Sequence, residues 1–530
     1  MDMTAVNAPL VPTYPVRGFR GAVATADQLA TQAGLSMLQR GGNAVDAAIA
    51  ANAAMAVVGP HLCGIGGDLF ALVVVDGEVF ALNASGRAGS GADATALRRA
   101  GATEIGHRHD INSVTVPGCV DGWQALHDRF ASLPLAELLA PAIELASSGF
   151  PASPLLAASV TGLDAVGRTQ LSAIADQSPA AGSRIVLPGV ARTLFAIASA
   201  GRSALYEGEF GRGLIALGAG LYTTDDLARS QADWVEPLTT NVFGVTMSTI
   251  PPNSQGYLIL AAARLASLAG LPDDPGDPQW AHILIECAAV AGYDRPDVLS
   301  DQADGEELLD QINQRSGEID PNHASRTSAP ASDGDTTYLC TADGNGMAVS
   351  LIQSNASGFG SWIAEPNTGI GLHNRGIGFT LAEGHPGELS PRRRPPHTLA
   401  PAAAVRDGKL AAVFGTMGGD AQPQILLQVA ARLFVHGQRP DEAVAAGRWA
   451  LKAAGTGFDT WTADDGPLVS LEGHVAQGWS PGLRQRGHRI VQEAAFSSAF
   501  GHAHAITVDE HGCLHAAADP RTVVGSAAAL

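Results

Sequence analysis

Lysine is almost absent from this chain. Lys409 and Lys452 are the only two, so Schiff-base chemistry has few candidates. Basic residues number 32 against 52 acidic ones, and the resulting formal charge of −20 repels phosphate backbones and anionic headgroups. Nucleic acid and membrane surfaces are therefore not expected partners. Cysteine is sparse as well: Cys63, Cys119, Cys287, Cys340 and Cys513 are scattered without a CxxC pair. Their odd total fits reduced, buried thiols better than a disulfide framework or a zinc site, and it points to a reducing compartment. Residues 1–16 lack a basic start followed by an apolar core. The most apolar stretch, residues 47–59, is interrupted by Asn52 and too short to span a bilayer, so a cytoplasmic location is expected.

Charged residues make up only 16% of the 530, apolar ones 46%, and 62 glycines with 31 prolines punctuate the chain. Such a composition supports a large interior and many sharp turns, and it excludes disorder as the main state. Asp27 can cap a helix over residues 28–39 that closes at Gly41-Gly42, and Asn43 opens a second, alanine-rich helix that is apolar nearly all round and should be buried. A glycine loop, Cys63-Gly-Ile-Gly-Gly-Asp68, precedes two strand-like runs bracketing Asp76-Gly77, a favoured hairpin turn. A helix-packed antiparallel sheet begins there. Residues 120–235 read as mostly helical. From 301 to 335 the pattern changes, apolar periodicity is lost over 314–335, and a surface linker is expected. Strand character returns abruptly at Thr336, with a hairpin around residues 343–346. A second hairpin around Asp407-Gly408 leads into Gly415-Thr-Met-Gly-Gly419, and a last one spans residues 503–517.

A hydroxyl residue that opens a strand after a cleavable linker has a distinctive use. It can attack the carbonyl before it, break the chain and become an N-terminal nucleophile. Its freed α-amine, with a reference pKa of about 7.7–8.0, can then serve as base for its own hydroxyl. Thr336 is that candidate, against the simpler reading of a β-prone strand residue. Backbone N–H groups at Gly418 and Gly419 could face the oxyanion that such an attack produces.

The ordered segments resemble the γ-glutamyltransferase family of N-terminal-nucleophile hydrolases over nearly the whole chain. Carrying the resemblance are Gly41-Gly-Asn-Ala-Val-Asp-Ala-Ala48, Gly64-Ile-Gly-Gly67, Arg87 in Asn83-Ala-Ser-Gly-Arg87, Val116-Pro-Gly118 and Pro141-Ala-Ile-Glu-Leu-Ala146. Further on come Pro251-Pro-Asn-Ser254, Gly334-Asp-Thr-Thr-Tyr338, Gly358-Phe-Gly360, Arg394-Pro395, Met417-Gly-Gly419 and Ala518-Asp-Pro-Arg521. The resemblance implies an α+β, four-layer αββα sandwich made as one proenzyme. It would be cut between Asp335 and Thr336 into a large chain, 1–335, and a small chain, 336–530. It implies Thr336 as nucleophile, Ser354 as the hydroxyl that steadies its amine, Gly418 and Gly419 as the oxyanion hole, and Arg87 as the arginine that holds the donor's carboxylate. The partners implied are a small-molecule amide donor, with γ-glutamyl amides such as glutathione as the first expectation, and an amine or water acceptor. No metal or organic cofactor is implied.

Several positions depart from the γ-glutamyl-specific pattern. Gly378 stands where an acid would bind the donor's α-amine, His397-Thr398 replaces a serine pair at the donor carboxylate, and Ala356 replaces an asparagine. The departures suggest an acyl group that carries a carboxylate, read by Arg87 and Arg375 with His397 and Thr398 nearby, but not necessarily a free α-amine. Family branches of that character include cephalosporin-type acylases and an oxamate amidohydrolase. Asp420 could also stand in for the missing acid. Three other readings compete. His107-Arg-His109-Asp110 and His502-Ala-His504 could serve a metal-dependent hydrolase, although no third cluster at ligand spacing completes a site. A non-catalytic binding protein would keep an intact chain. The Gly64–Gly67 loop lacks the spacing and lysine of a phosphate cradle.

Overall fold

Asp27 accepts the N–H of Leu29 at 2.8 Å, and Asn43 accepts those of Val45 and Asp46 at 2.9 and 3.0 Å, so both expected helices start where their caps lie. They are Gln28–Gln39 and Ala44–Val58. Every residue of the second is buried, as its uniform apolarity requires. The structure, a computed structural model, describes residues 14–324, 336–452 and 468–530.

Two seven-stranded antiparallel sheets form the centre. The first runs, in spatial order, Ser526–Ala529, Gly21–Thr25, Thr336–Asp343, Ala348–Ser354, Asp68–Val75, Glu78–Ala84 and Asp233–Val235. The second runs Val16–Gly18, Leu514–Ala517, Ala503–Val508, Lys409–Thr416, Ala402–Arg406, Val245–Thr249 and Leu238–Val242. Phe70, Tyr338 and Ile352 of the first sheet meet Ala403, Val413 and Ile506 of the second in one apolar layer. Helices that include Ala44–Val58 and Cys119–Phe130 cover the outside of the first sheet, and Tyr257–Ala269, Pro278–Gly292 and Gln422–Ala430 cover the second. The result is the expected four-layer αββα architecture, with every expected hairpin in place. Among the described residues no helix is long and apolar enough to cross a membrane.

One expectation about segmentation needs adjustment. Residues 301–335 do not form a linker throughout, because Gly305–Asn313 is a helix capped by Asp304. Leu308, Leu309 and Ile312 repeat at helical spacing and are buried against the second sheet's helices, a short period hidden among acidic and amide residues. Position 336, the expected start of the small chain, lies inside one continuous fold. The strand Thr336–Asp343 pairs with Gly21–Thr25 on one side, and Ala348–Ser354 pairs with Asp68–Val75, so segments from both sides of that position interleave in one sheet.

At the edge of the second helical layer, four charged side chains are sequestered together. Arg448 donates to Asp519 at 2.6 Å, and Arg521 donates to Asp519 at 3.0 Å and to Glu472 at 2.9 Å. Burial opposes the charge on Asp519, but the two guanidinium groups outweigh it and hold the carboxyl far below its usual range. His502 and His504 lie beside the cluster, and burial above all lowers them to about 4 and about 3, so both stay neutral.

Unfolded imidazoles titrate near 6.5, so below that pH the unfolded chain binds protons that these two folded histidines refuse. Stability should hold above about pH 7, fall progressively from 6.5 toward 4, and fall faster once unfolded carboxylates also protonate near 4. Thermal melts from pH 8 to 4 test this, and a flat melting temperature between 6.5 and 4.5 would contradict it. A steric constraint gives a second expectation. A Cβ on Gly415 would lie 2.2 Å from the ring of Tyr338 on the facing sheet. Gly415→Ala should destabilise by about 1–3 kcal/mol, seen as a lower melting temperature, and Tyr338→Leu in the same chain should recover part of the loss.

Candidate active site

Three strand ends meet in register. Thr336 opens its strand opposite Ser354, the last residue of the neighbouring strand, and Ser354 lies opposite Asp68, the first residue of the next. Cross-strand partners share a face, so two hydroxyls and a carboxylate stand in one row. Thr336 Oγ1 and Ser354 Oγ share a hydrogen bond of 3.0 Å, and Ser354 Oγ also accepts the N–H of Ala356 at 2.7 Å. All three residues are buried. On the opposite face of the same strand, Gln353 donates to the backbone oxygen of Gly64 at 2.7 Å and accepts from Asn52 at 3.0 Å, and Asn52 accepts from the Trp123 indole at 2.7 Å. Asn52, the one polar interruption of the buried helix, thus fastens that helix to the strand that carries Ser354.

Asp68 gathers the remaining parts. Its Oδ2 accepts Arg375 Nε at 2.7 Å and His397 Nε2 at 2.9 Å, and His373 Nδ1 lies at 3.5 Å. Burial opposes ionisation of Asp68, yet the charge of Arg375 above all, and then His397 with its hydrogen bond, hold its carboxyl well below the usual range. His397 itself is lowered to about 3, first by burial and then by Arg375. It is therefore neutral, accepting Leu399 N–H on Nδ1 at 3.1 Å and donating from Nε2 to Asp68. From Arg375 the contacts continue: Nη1 donates to Thr398 Oγ1 at 3.0 Å, and Gln255 Nε2 donates to the backbone oxygens of Thr398 and Gly419 at 2.8 and 3.0 Å. An unbroken series of polar contacts and register pairs thus joins Thr336 to the glycine turn. Gly418 and Gly419 have φ of 135° and 53°, conformations that side chains of L-residues resist, so only glycine fits comfortably there.

A cleft of about 220 Å³ opens on Arg375 and Thr398 and continues past Gly378, Thr380 and His385 to Arg295. Arg375 and Arg295 border it while almost wholly buried, at 1 and 8% exposure, and no carboxylate among the described residues lines it. Asp420 does not supply the missing acid: it is fully buried and paired with Arg295 at 3.2 Å.

Of the residues singled out in the sequence, Thr336 and Ser354 touch, while Gly418, Gly419, Arg375 and Thr398 join them through Asp68 and Gln255. His397 lies beneath the cleft instead of lining it, with its ring edge on Phe70 at 4.7 Å between centroids. Arg87 belongs to another cluster, in which it forms an ion pair with Asp233, donates to the Ser230 oxygen at 3.3 Å and shares Asp233 with Arg394. Asp335 lies outside the described residues. Sequence reasoning passed over Asp68, whose only signal is an acid ending a glycine loop at the start of a strand. The paired histidines do not assemble a metal site. His109 bonds Asp164 at 3.0 Å, Asp110 accepts backbone N–H groups, and His502 and His504 serve Ser498 and Asp519. Among the described residues, the groups that could hold a cation are His282, Glu286 and His488, and separately Asp509, Cys513 and His515.

Residues 30–529 match the family model for gamma-glutamyltranspeptidase. The glutathione hydrolase-like YwrD proenzyme of Bacillus subtilis is 34% identical over 529 residues, covering 96% of this chain and 98% of its own length. The oxamate amidohydrolase proenzyme of Klebsiella pneumoniae is 36% identical over 524 residues, covering 95% and 97%. The crystal structure of a cephalosporin acylase from Bacillus halodurans superposes with a TM-score of 0.89 at 33% identity, across 100% of this chain and 99% of that one. The chain belongs to the gamma-glutamyltranspeptidase family of N-terminal-nucleophile hydrolases.

Proposed function

We propose that this chain is a proenzyme that cuts itself between Asp335 and Thr336 and then hydrolyses amides of a carboxylate-bearing acyl group. The observation that carries the reading is the row Thr336, Ser354 and Asp68 at the head of the strand that begins at Thr336. Relatives described as proenzymes support the self-processing step. Once released, the Thr336 α-amine takes the proton of its own hydroxyl as Oγ1 adds to the amide carbonyl. Ser354 orients that hydroxyl. N–H groups of Gly418 and Gly419 hold the developing oxyanion, each donor of this kind contributing about 3–4 kcal/mol in comparable sites. Collapse breaks the C–N bond, the proton passes to the departing amine, and the acyl group remains as an ester on Thr336. Water, or an acceptor amine, then attacks the ester and regenerates the hydroxyl. The five unpaired thiols support a reducing compartment as the setting.

For the donor, the cleft supports a carboxylate held by the Arg375 side, since guanidinium forks match carboxylates. Among the described residues an α-ammonium would find no carboxylate on the cleft wall, where Gly378 stands in place of an acid. Short dicarboxylic monoamides of the oxamate kind and dicarboxylic acyl amides are therefore the first substrate class. γ-Glutamyl amides such as glutathione are the second reading, favoured by the likeness to the glutathione hydrolase-like relative.

Intact mass of the denatured wild-type protein should show two chains, the smaller beginning at Thr336, and Thr336→Ala should remain one uncut, inactive chain. A cut Thr336→Ala chain would refute the nucleophile. Arg375→Lys keeps a charge but loses the fork shared by Asp68 and Thr398. It should still be processed while kcat/KM for a dicarboxylic monoamide falls roughly 10–100-fold. Higher kcat/KM on glutathione than on any such monoamide would move the second reading to first.

A further inference from the structure

The helix Pro278–Gly292 carries His282 and Glu286 one turn apart, so both project from the same face. His488 follows the helix Trp479–Gln485 and points at them from the other side. His282 Nδ1 and His488 Nε2 are 2.7 Å apart, Glu286 Oε1 lies 4.0 Å from the same His488 nitrogen, and one ligand atom from each residue falls within 4.8 Å of the other two. All three are buried, at 0, 1 and 8% exposure. His282 Nε2 donates to the backbone oxygen of Asp320 at 2.8 Å. That bond fixes the tautomer: the hydrogen is on Nε2, and the Nδ1 lone pair faces the cluster. An imidazole whose second nitrogen is tied to a carbonyl is the usual outer arrangement of a metal-bound histidine.

We propose that His282, Glu286 and His488 form a binding site for a divalent transition metal, Zn²⁺ in the first instance. Two neutral imidazoles and one carboxylate are a borderline donor set that suits Zn²⁺, whereas Mg²⁺ and Ca²⁺ require oxygen donors throughout. Nitrogen–metal bonds of about 2.0–2.1 Å in tetrahedral geometry need the two ring nitrogens about 0.6–0.7 Å further apart than the 2.7 Å at which they stand, a small rotation of His488 about its side-chain bonds. A water completes the fourth position. In the empty cluster His488 Nε2 donates to the His282 Nδ1 lone pair, so ligation requires the His488 hydrogen to sit on Nδ1 instead, the same neutral ring in its other tautomer. Arg486, felt by both rings, opposes a cation, and Glu286 with Asp320 supplies the compensating negative charge.

The consequence is mechanical. Ala324 N–H donates to the Arg486 oxygen at 2.8 Å, so the chain around 320–324 already lies against the turn at 486–488. A metal here would fasten the helix Pro278–Gly292 and this stretch to a segment that lies beyond Thr336 in the chain. The site is remote in contacts from the Thr336 row and is independent of whether the chain is cut.

The test uses the full chain, stripped with a chelator and titrated with Zn²⁺ alone, with stoichiometry read by elemental analysis and stability by melting. One equivalent should bind and raise the melting temperature, and Co²⁺ in its place should give tetrahedral d–d absorption. His488→Gln and Glu286→Gln, which keep the volume of the cluster, should each weaken Zn²⁺ at least about 100-fold, and Cys513→Ser should leave it unchanged. Absence of a stoichiometric equivalent would overturn the proposal. So would binding that survives both cluster variants, or that is lost with Cys513→Ser, since the ion would then sit elsewhere.

Discussion

Taking a carboxylate wholly out of water costs several kcal/mol unless charge and hydrogen bonds replace its hydration. At Asp68 the Arg375 guanidinium and the His397 imidazole do so, with His373 beside them, and these groups arrive from two different parts of the chain. His373 and Arg375 come from the loop after the strand that ends at Ser354, and His397 from the segment that precedes Thr398. Satisfying one buried charge therefore forces those segments to converge beside Thr336. The wall of the cleft is a by-product of that convergence: Arg375 borders it with its Nε held by Asp68. In this view His397 and His373 are positioning residues that keep the charge centre dry and fixed.

Much of the scaffold was legible in the sequence because its signals are local. Asp27 and Asn43 cap helices with their own side chains, and Asp76-Gly77 and Asp407-Gly408 close hairpins that need no distant partner. The helix Gly305–Asn313 was not legible, since its three apolar residues sit among acids and amides in a stretch otherwise rich in turn formers. Side-chain pairing was the least legible. Nothing near Arg87 in the sequence announces Asp233, and nothing near Asp68 announces Arg375, which lies 307 residues away. His282 and Glu286 show helical spacing, but the third member of their cluster lies 206 residues beyond His282.

Relatives in the family carry names for different substrates. Here the polar contacts around Thr336, Ser354 and the glycine turn form one connected body, while the far wall of the cleft, from Gly378 to Arg295, comes from the short helical segments Arg375–Gly378 and Arg295–Val298. Such a division lets donor preference change by substitution on the wall without disturbing the strand ends. Arg295 illustrates the point. It closes the cleft while its charge is already balanced by Asp420, directly after the glycine turn.

The interleaving of the first sheet has a temporal meaning. Thr336–Asp343 is a central strand whose neighbour on one side, Gly21–Thr25, comes from the opposite end of the sequence, and the row that would act on the peptide bond ahead of Thr336 includes Asp68. Neither portion can assemble its sheet alone, and each by itself would present long unpaired strand edges to whatever it met. Scission ahead of Thr336 would therefore have to follow complete folding, so the topology would act as a clock: a misfolded copy would lack the geometry needed to open its own chain, and assembly would be proofread before any activity began.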